Sequence, residues 1–271
     1  MRRTIPVCAS LAAVVGLASV ATARGDDEPK AVKALVITGD AVKAHNWKET
    51  TKALEELLSS GGRIKVDITS TPSKDLNDEK LAGYDVLVLN YFNTADGAPE
   101  SKWSDENKAA FLKAVKEKGK GLVVVHHASG SFARPNDPTF EKAIAGGWRT
   151  QGYHGPPHEF TVKKTVIKDF KHPVSEGAPE SFKHVKDELY SNSMLLPGSV
   201  VLATAYCDPA TPKGTGKDEA VIWVSHYGKG RVFNCALGHD VQALNDPGVK
   251  TWLTRGTEWA ATGWVRKPKT D

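Results

Sequence analysis

Cysteine is scarce, with three in 271 residues. Cys8 lies in a leader expected to be removed, so Cys207 and Cys235 remain, too few for a disulfide framework. In an exported chain they are either buried thiols or one bridge. A basic block is also missing. The 36 Lys and Arg are interspersed with 32 Asp and Glu, for a formal net charge of +4, so nucleic acid is not an implied partner. Past the N-terminus no apolar run approaches the ~20 residues that cross a bilayer, and no membrane span is expected. The "TGD" after the first strand-like run lacks the glycine spacing and the lysine of a phosphate loop, so no nucleotide cofactor is expected. Repeats and low-complexity linkers are absent too, and one domain is the economical reading.

At the N-terminus a short basic start, "MRRTIP", precedes the apolar "VCASLAAVVGLASVA" and a small-x-small "ATA" ending at Ala23. This pattern predicts a signal peptide over residues 1–23 and export to the periplasm or medium. A polar leader, 24–31, and a single domain, 32–265, follow. "VKALVIT", "YDVLVLN" and "GLVVVHH" read as buried strands, and "IKVDIT" as an alternating one. "KETTKALEELLSS" is a helix stopped by Gly61-Gly62, and "SDENKAAFLKAVKEKG" is a helix with Ser104 as N-cap. Strands alternating with helices imply an α/β fold, a mostly parallel sheet with helices on both faces. Further on, "AVIWVSHY" and "RVFNCALG" form a hairpin through Gly228-Lys229-Gly230, and "DPGVKTWLTRGTEWAATG" is a C-terminal helix.

What the chain does have is histidine, nine residues in all. Ligands of open α/β sheets bind beyond the carboxyl ends of the strands. His45 follows the first strand, His126 and His127 end another, and His239 follows "RVFNCALG". Because side chains alternate along a strand, one of the His126-His127 pair should face a site. The small residues after His127 favour it, which leaves His126 to face away and hold the turn. "YHGPPHEF" spaces His154 and His158 as in a helical zinc motif, but Gly155-Pro156-Pro157 forbids the helix, and a loop ligand is the remaining functional reading. "KDELY" offers Glu188 as a general base or metal ligand, against a solvated charged turn. His184 and His226 read as surface or packing residues.

The ordered set "ALVITGDAVKAHNWKETT", "GLVVVHHASGSF", "YHGPPHEFTV", "DELY" and "GRVFNCALGHD…RGTEWAATG" resembles the ThuA-like, or trehalose utilisation, family from Val32 to Gly263. The resemblance implies a flavodoxin-like, three-layer α/β/α sandwich similar to class I glutamine amidotransferases. In those enzymes a cysteine occupies the strand-to-helix elbow. Here the elbow reads His126-His127-Ala128, so thiolate chemistry is excluded. The family also implies a carbohydrate ligand, a disaccharide or an oxidised keto sugar. Carried over to this chain, the site residues are His45, His127, His154, Glu188, Tyr190 and His239, with His154 or His158 at its position.

Proton abstraction from a 3-keto sugar would use Glu188 or His127 as base. His154, Glu188 and His239 would hold a divalent metal, zinc or manganese, or a sugar oxygen. His45, Trp148, Tyr153 and Tyr190 would contact the sugar. A non-catalytic sugar-binding module and a metal-dependent glycoside or ester hydrolase or lyase are the other readings. The oligomeric state is left open.

Overall fold

The computed structural model describes residues 30–167 and 170–266. The expected signal peptide, and the leader as far as residue 29, lie outside the described residues. The elements run β1 (Val32–Ile37), α1 (Trp47–Ser59), β2 (Ile64–Thr69), α2 (Pro72–Asp75), α3 (Asp78–Ala82), β3 (Val86–Leu89), α4 (Asp105–Lys116), β4 (Gly121–Val125), α5 (Pro138–Ala143), β5 (Gly146–Gly147), β6 (Tyr153–His154), β7 (His158–Lys164), β8 (Ser181–Asp187), β9 (Tyr190–Ser191), β10 (Met194–Leu195), β11 (Val200–Cys207), β12 (Lys217–Tyr227), β13 (Gly230–Cys235), α6 (Val241–Leu244) and α7 (Pro247–Thr262). From Ala31 onward they pack as one unit.

Nine strands form one sheet in the order β2-β1-β3-β4-β13-β12-β11-β7-β8. The half from β2 to β13 is parallel. From β13 to β8 every pairing is antiparallel, so the antiparallel part extends well beyond the expected hairpin. That hairpin is present, with Tyr227 paired to Gly230 and Gly228 at φ 59°. A two-residue turn that needs a left-handed residue is where glycine belongs.

Alternation along β1 builds the layers. Ala34 and Val36 join one core with Leu54, Leu57 and Leu58 of α1 and Trp252 and Leu253 of α7. Leu35 and Ile37 join the other core with Phe111 and Val115 of α4 and Phe140 of α5. The result is a three-layer α/β/α sandwich. On α1 the buried leucines recur at i, i+3 and i+4, so its apolar stripe, more than intrinsic propensity, holds it to the sheet. Helix α4 starts as expected at Ser104, which exchanges hydrogen bonds with Asn107 in a capping box. Both remaining cysteines are free and buried. Among the described residues, no helix is long and apolar enough to cross a membrane.

Candidate functional site

The carboxyl ends of β1, β4 and β13 open on one rim, and short-range capping fixes the backbone beside the histidines that follow β1 and β13. His45 directly precedes Asn46, the N-cap of α1, whose side chain accepts from Glu49 N. His239 directly precedes Asp240, which caps α6 at Ala243 N. His126 opens the 3-10 turn after β4 with φ 43°. A non-glycine residue in the left-handed region is strained, and such strain concentrates at functional sites.

The centre of the site is the buried carboxylate of Glu188. Its Oε2 lies 3.3 Å from His126 Nε2, 3.4 Å from His239 Nδ1 and 3.7 Å from His45 Nε2. Its Oε1 lies 3.6 Å from His154 Nε2. His126 Nδ1 donates to the Ala236 carbonyl at 2.7 Å. Because a carbonyl only accepts, the Nε2 of neutral His126 carries a lone pair. That nitrogen faces His45 Nε2 at 3.1 Å and receives the Tyr190 hydroxyl at 2.9 Å. One donor atom each from His45, His126, Glu188 and His239 lie within 4.8 Å of one another.

The alternation argument therefore fails for the histidine pair. His126 does not face away: it is fully buried inside the cluster. The reason is that the backbone leaves the extended conformation at that residue, so the rule ends at Val125. His127 is not one of the four converging groups. It lines the adjoining cavity, packs its ring 4.6 Å from that of His45, and has a buried Nε2 without a hydrogen-bond partner. Of the two loop histidines, His154 reaches the site. His158 bonds to the Pro156 carbonyl instead.

A cavity of about 350 Å³ opens beside the cluster, within the ~300–1,000 Å³ range of small-molecule sites. Its lining includes His45, His127, Trp148, His154, Glu188 and Tyr190. The Trp148 ring stands edge-on to Tyr190 at 4.5 Å. Gly130 keeps the wall open, since a Cβ there would sit 2.9 Å from the Phe92 ring. Tyr153, expected to contact the ligand, does not line this cavity. It pairs with Ser191 in the short β6-β9 ladder.

Electrostatically the histidines divide, His45 and His127 resisting protons and His239 favouring one. Burial, then the neighbouring His126 and His239, push His45 down to about 3. Burial holds His127 well below the ordinary imidazole range. Burial tends to raise Glu188, but hydrogen bonding and charge from His126 and His239, when these carry a proton, outweigh it and hold the carboxyl well below its usual range. The Glu188 carboxylate in turn raises His239. Burial keeps the Tyr190 phenol protonated far above 10. Imidazoles gathered around one carboxylate, with burial holding His45 neutral and the carboxylate drawing positive charge, are suited to a metal cation.

Asp187 anchors this arrangement. Its fully buried carboxylate accepts from Glu188 N at 2.7 Å, Gly238 N at 2.8 Å and His239 N at 3.2 Å. It also accepts from His184 Nε2 at 2.8 Å, while His184 Nδ1 donates to Asp246 at 3.1 Å. Asp246 caps α7. His184, expected at the surface or in packing, is thus a fully buried cation between two carboxylates. Burial lowers its pKa, but Asp187 and Asp246 outweigh that and raise it overall. The sequence pattern did not reveal His126 as a member of the cluster, nor Asp187 and His184. A three-residue offset in a regular strand would put His184 and Asp187 on opposite faces, so the sequence carried no signal for the pair; they meet where the β7-β8 register shifts.

The family model for ThuA, described as trehalose utilisation, matches residues 33–260. The chain belongs to the ThuA family. That description is of a role in carbohydrate metabolism. A ThuA-like protein from Parabacteroides merdae ATCC 43184 has a similar structure, at 31% identity and TM-score 0.74, over 89% of this chain and 94% of that one. A ThuA-like protein from Bacteroides uniformis ATCC 8492 matches at 23% identity and TM-score 0.68, over 90% and 98%. A β-galactosidase from Rahnella sp. R3 shares the fold alone, at 16% identity and TM-score 0.51 over 32% of its length. No curated protein matches this sequence.

Proposed function

We propose that this ThuA family member is an exported enzyme that holds a divalent metal and moves a proton on a 3-keto sugar. The observation that carries the reading is the convergence of His45, His126, Glu188 and His239. It revises the expected ligand set by adding His45 and His126 and by moving His154 outside it, beside Oε1 of Glu188. Metal–nitrogen and metal–carboxylate bonds of ~2.1 Å allow no two ligands to lie more than about 4.2 Å apart. The 4.8 Å cluster would close by roughly half an ångström. Three imidazoles and a carboxylate suit zinc or manganese. The His126 Nδ1 bond to Ala236 is the outer contact that fixes the ligating tautomer.

Bound there, the metal would supply a Lewis acid for a developing enediolate. The rest is this chain's own chemistry. His127 is neutral, and its free Nε2 belongs to a residue lining the cavity. It would take the proton from the carbon beside the carbonyl and return it to the neighbouring carbon. Tyr190 keeps its proton and would hydrogen-bond the enediolate oxygen, while the proton of the neighbouring hydroxyl passes to that oxygen, so the substrate's protons are only redistributed. Trp148 would cover a sugar face. Export rests on the sequence pattern that ends at Ala23.

The test is metal content of the purified chain, followed by turnover of 3-keto glucosides with product analysis. The wild type should retain close to one zinc or manganese, and His126→Ala and Glu188→Gln should lose it. His127→Ala should keep the metal and lose activity. A metal-free wild type, or full activity in His127→Ala, would sink the proposal. Release of a free sugar or acid would point instead to hydrolysis or elimination.

A further inference from the structure

The cavity has two charged ends. Glu188 is buried at the inner end, and the exposed Arg134 lines the outer end. Between them the wall is largely apolar, with Val42, Ala44, Phe92, Ala133 and Trp148. Arg134 is the one lysine or arginine in the lining. Among the described residues, no carboxylate lies within ion-pair distance of its guanidinium, and no hydrogen bond engages it.

The loop that carries Arg134 is pinned on both sides. Phe132 N donates to Asn93 Oδ1 at 2.6 Å, and Asp137 N donates to the Phe132 carbonyl at 2.9 Å. Ala133 and Asn136 form an antiparallel bridge. The Ser131 carbonyl accepts from buried Arg149 at 2.9 Å. Phe132 is itself held in the left-handed region at φ 52°. These bonds fix the backbone of the loop that carries Arg134 to the cavity lining.

We infer that Arg134 recognises an anionic group, so that the ligand is a sugar bearing a carboxylate or a phosphate. This rests on the proposed reading of the cavity as a sugar site and names the class of sugar. A neutral sugar would offer this exposed, unpartnered guanidinium only single uncharged hydroxyl acceptors. A planar carboxylate or a phosphate would pair with it bidentately. The anion would lie at the mouth, away from Glu188, and leave the reacting carbons among the histidines.

The experiment is calorimetric titration of the purified chain with glucose, glucuronate and glucose 6-phosphate, at low and high salt, with and without chelator. At least one anionic sugar should bind about tenfold or more tightly than glucose. The preference should weaken with salt, vanish in Arg134→Gln and survive in part in Arg134→Lys. Preference for glucuronate names a sugar acid, and preference for glucose 6-phosphate names a sugar phosphate. Equal binding of all three sugars, no binding of any, or a preference that survives Arg134→Gln would each overturn the inference. The chelator separates the two proposals. If the chain as purified, before any chelator, holds no metal and still shows the Arg134-dependent preference, the metal reading fails and this one stands. If metal is held and the preference is absent, the reverse is true.

Discussion

Replacing Asp187 with asparagine should be among the most damaging single-atom changes in the molecule. The carboxylate accepts four hydrogen bonds, three from the backbone of Glu188, Gly238 and His239 and one from His184. Each His184 nitrogen faces a carboxylate oxygen, at 2.8 Å and 3.1 Å. Both must donate, and the ring is an imidazolium. An asparagine oxygen can keep two of the four donors. Its amide nitrogen then meets the others donor against donor, and the buried imidazolium loses one of its two counter-charges. Breaking a buried ion pair by removing one partner costs about 3–5 kcal/mol, a large part of the ~5–15 kcal/mol that holds a domain folded. Urea unfolding of Asp187→Asn should therefore show a midpoint shift of that size with an unchanged slope. Because the lost bonds position Glu188 and His239, metal affinity should also fall, by about 10- to 100-fold. A stability loss below about 1 kcal/mol would refute the assignment of His184 as a buried cation.

His172 should give a pH-dependent stability of the opposite kind. Its Nδ1 accepts from Val174 N at 3.2 Å, and burial, then His226, push its pKa down to about 4. Above the ordinary ~6.5 neither state is charged, while between there and 4 only the unfolded chain takes the proton. Stability should therefore fall by up to about 3 kcal/mol as pH drops through that window. Urea midpoints of His172→Asn at pH 7 and pH 5 should lack this component, and an unchanged pH slope would count against it. Tyr190→Phe removes the hydroxyl 2.9 Å from His126 Nε2 but keeps the ring against Trp148. Metal content and KM should hold while kcat on a keto sugar falls by about 10² or more. An unchanged kcat would remove Tyr190 from the stabilisation of the enediolate.

The layers were legible because their signals are local. The β1 alternation, the Ser104 cap, the glycine turn at 228–230 and the proline-led α7 each depend on residues a few positions apart. The site was legible only in part, because its histidines meet across the chain. His45 and His239 were found from their places after strands, and His154 and Glu188 from the "YHGPPHEF" loop, the "KDELY" run and the family resemblance. His126 was misdirected because alternation was carried one residue past Val125, into a turn where φ is 43°. Asp187 read as half of a charged turn, since nothing nearby in sequence announces that its partners are Gly238 and His239. The short helices α2 and α3, inside a polar stretch, offered no apolar period to read.

The position of Glu188 also depends on the parity of the sheet. β8 is the far edge strand, four pairings from β13, and all four are antiparallel. An even number of reversals returns β8 to the direction of β13 and β4. Its carboxyl end therefore opens on the histidine rim. One strand fewer in this half would send the "DELY" segment to the opposite rim, with the same residues and no site. Direction alone does not close the gap between the sheet's edge and its middle. Asp187 does so by binding the backbone of Gly238 and His239 after β13 while holding Glu188 beside it. The antiparallel extension is thus part of the functional architecture, because it is what brings a carboxylate from the edge strand to imidazoles at the sheet's centre.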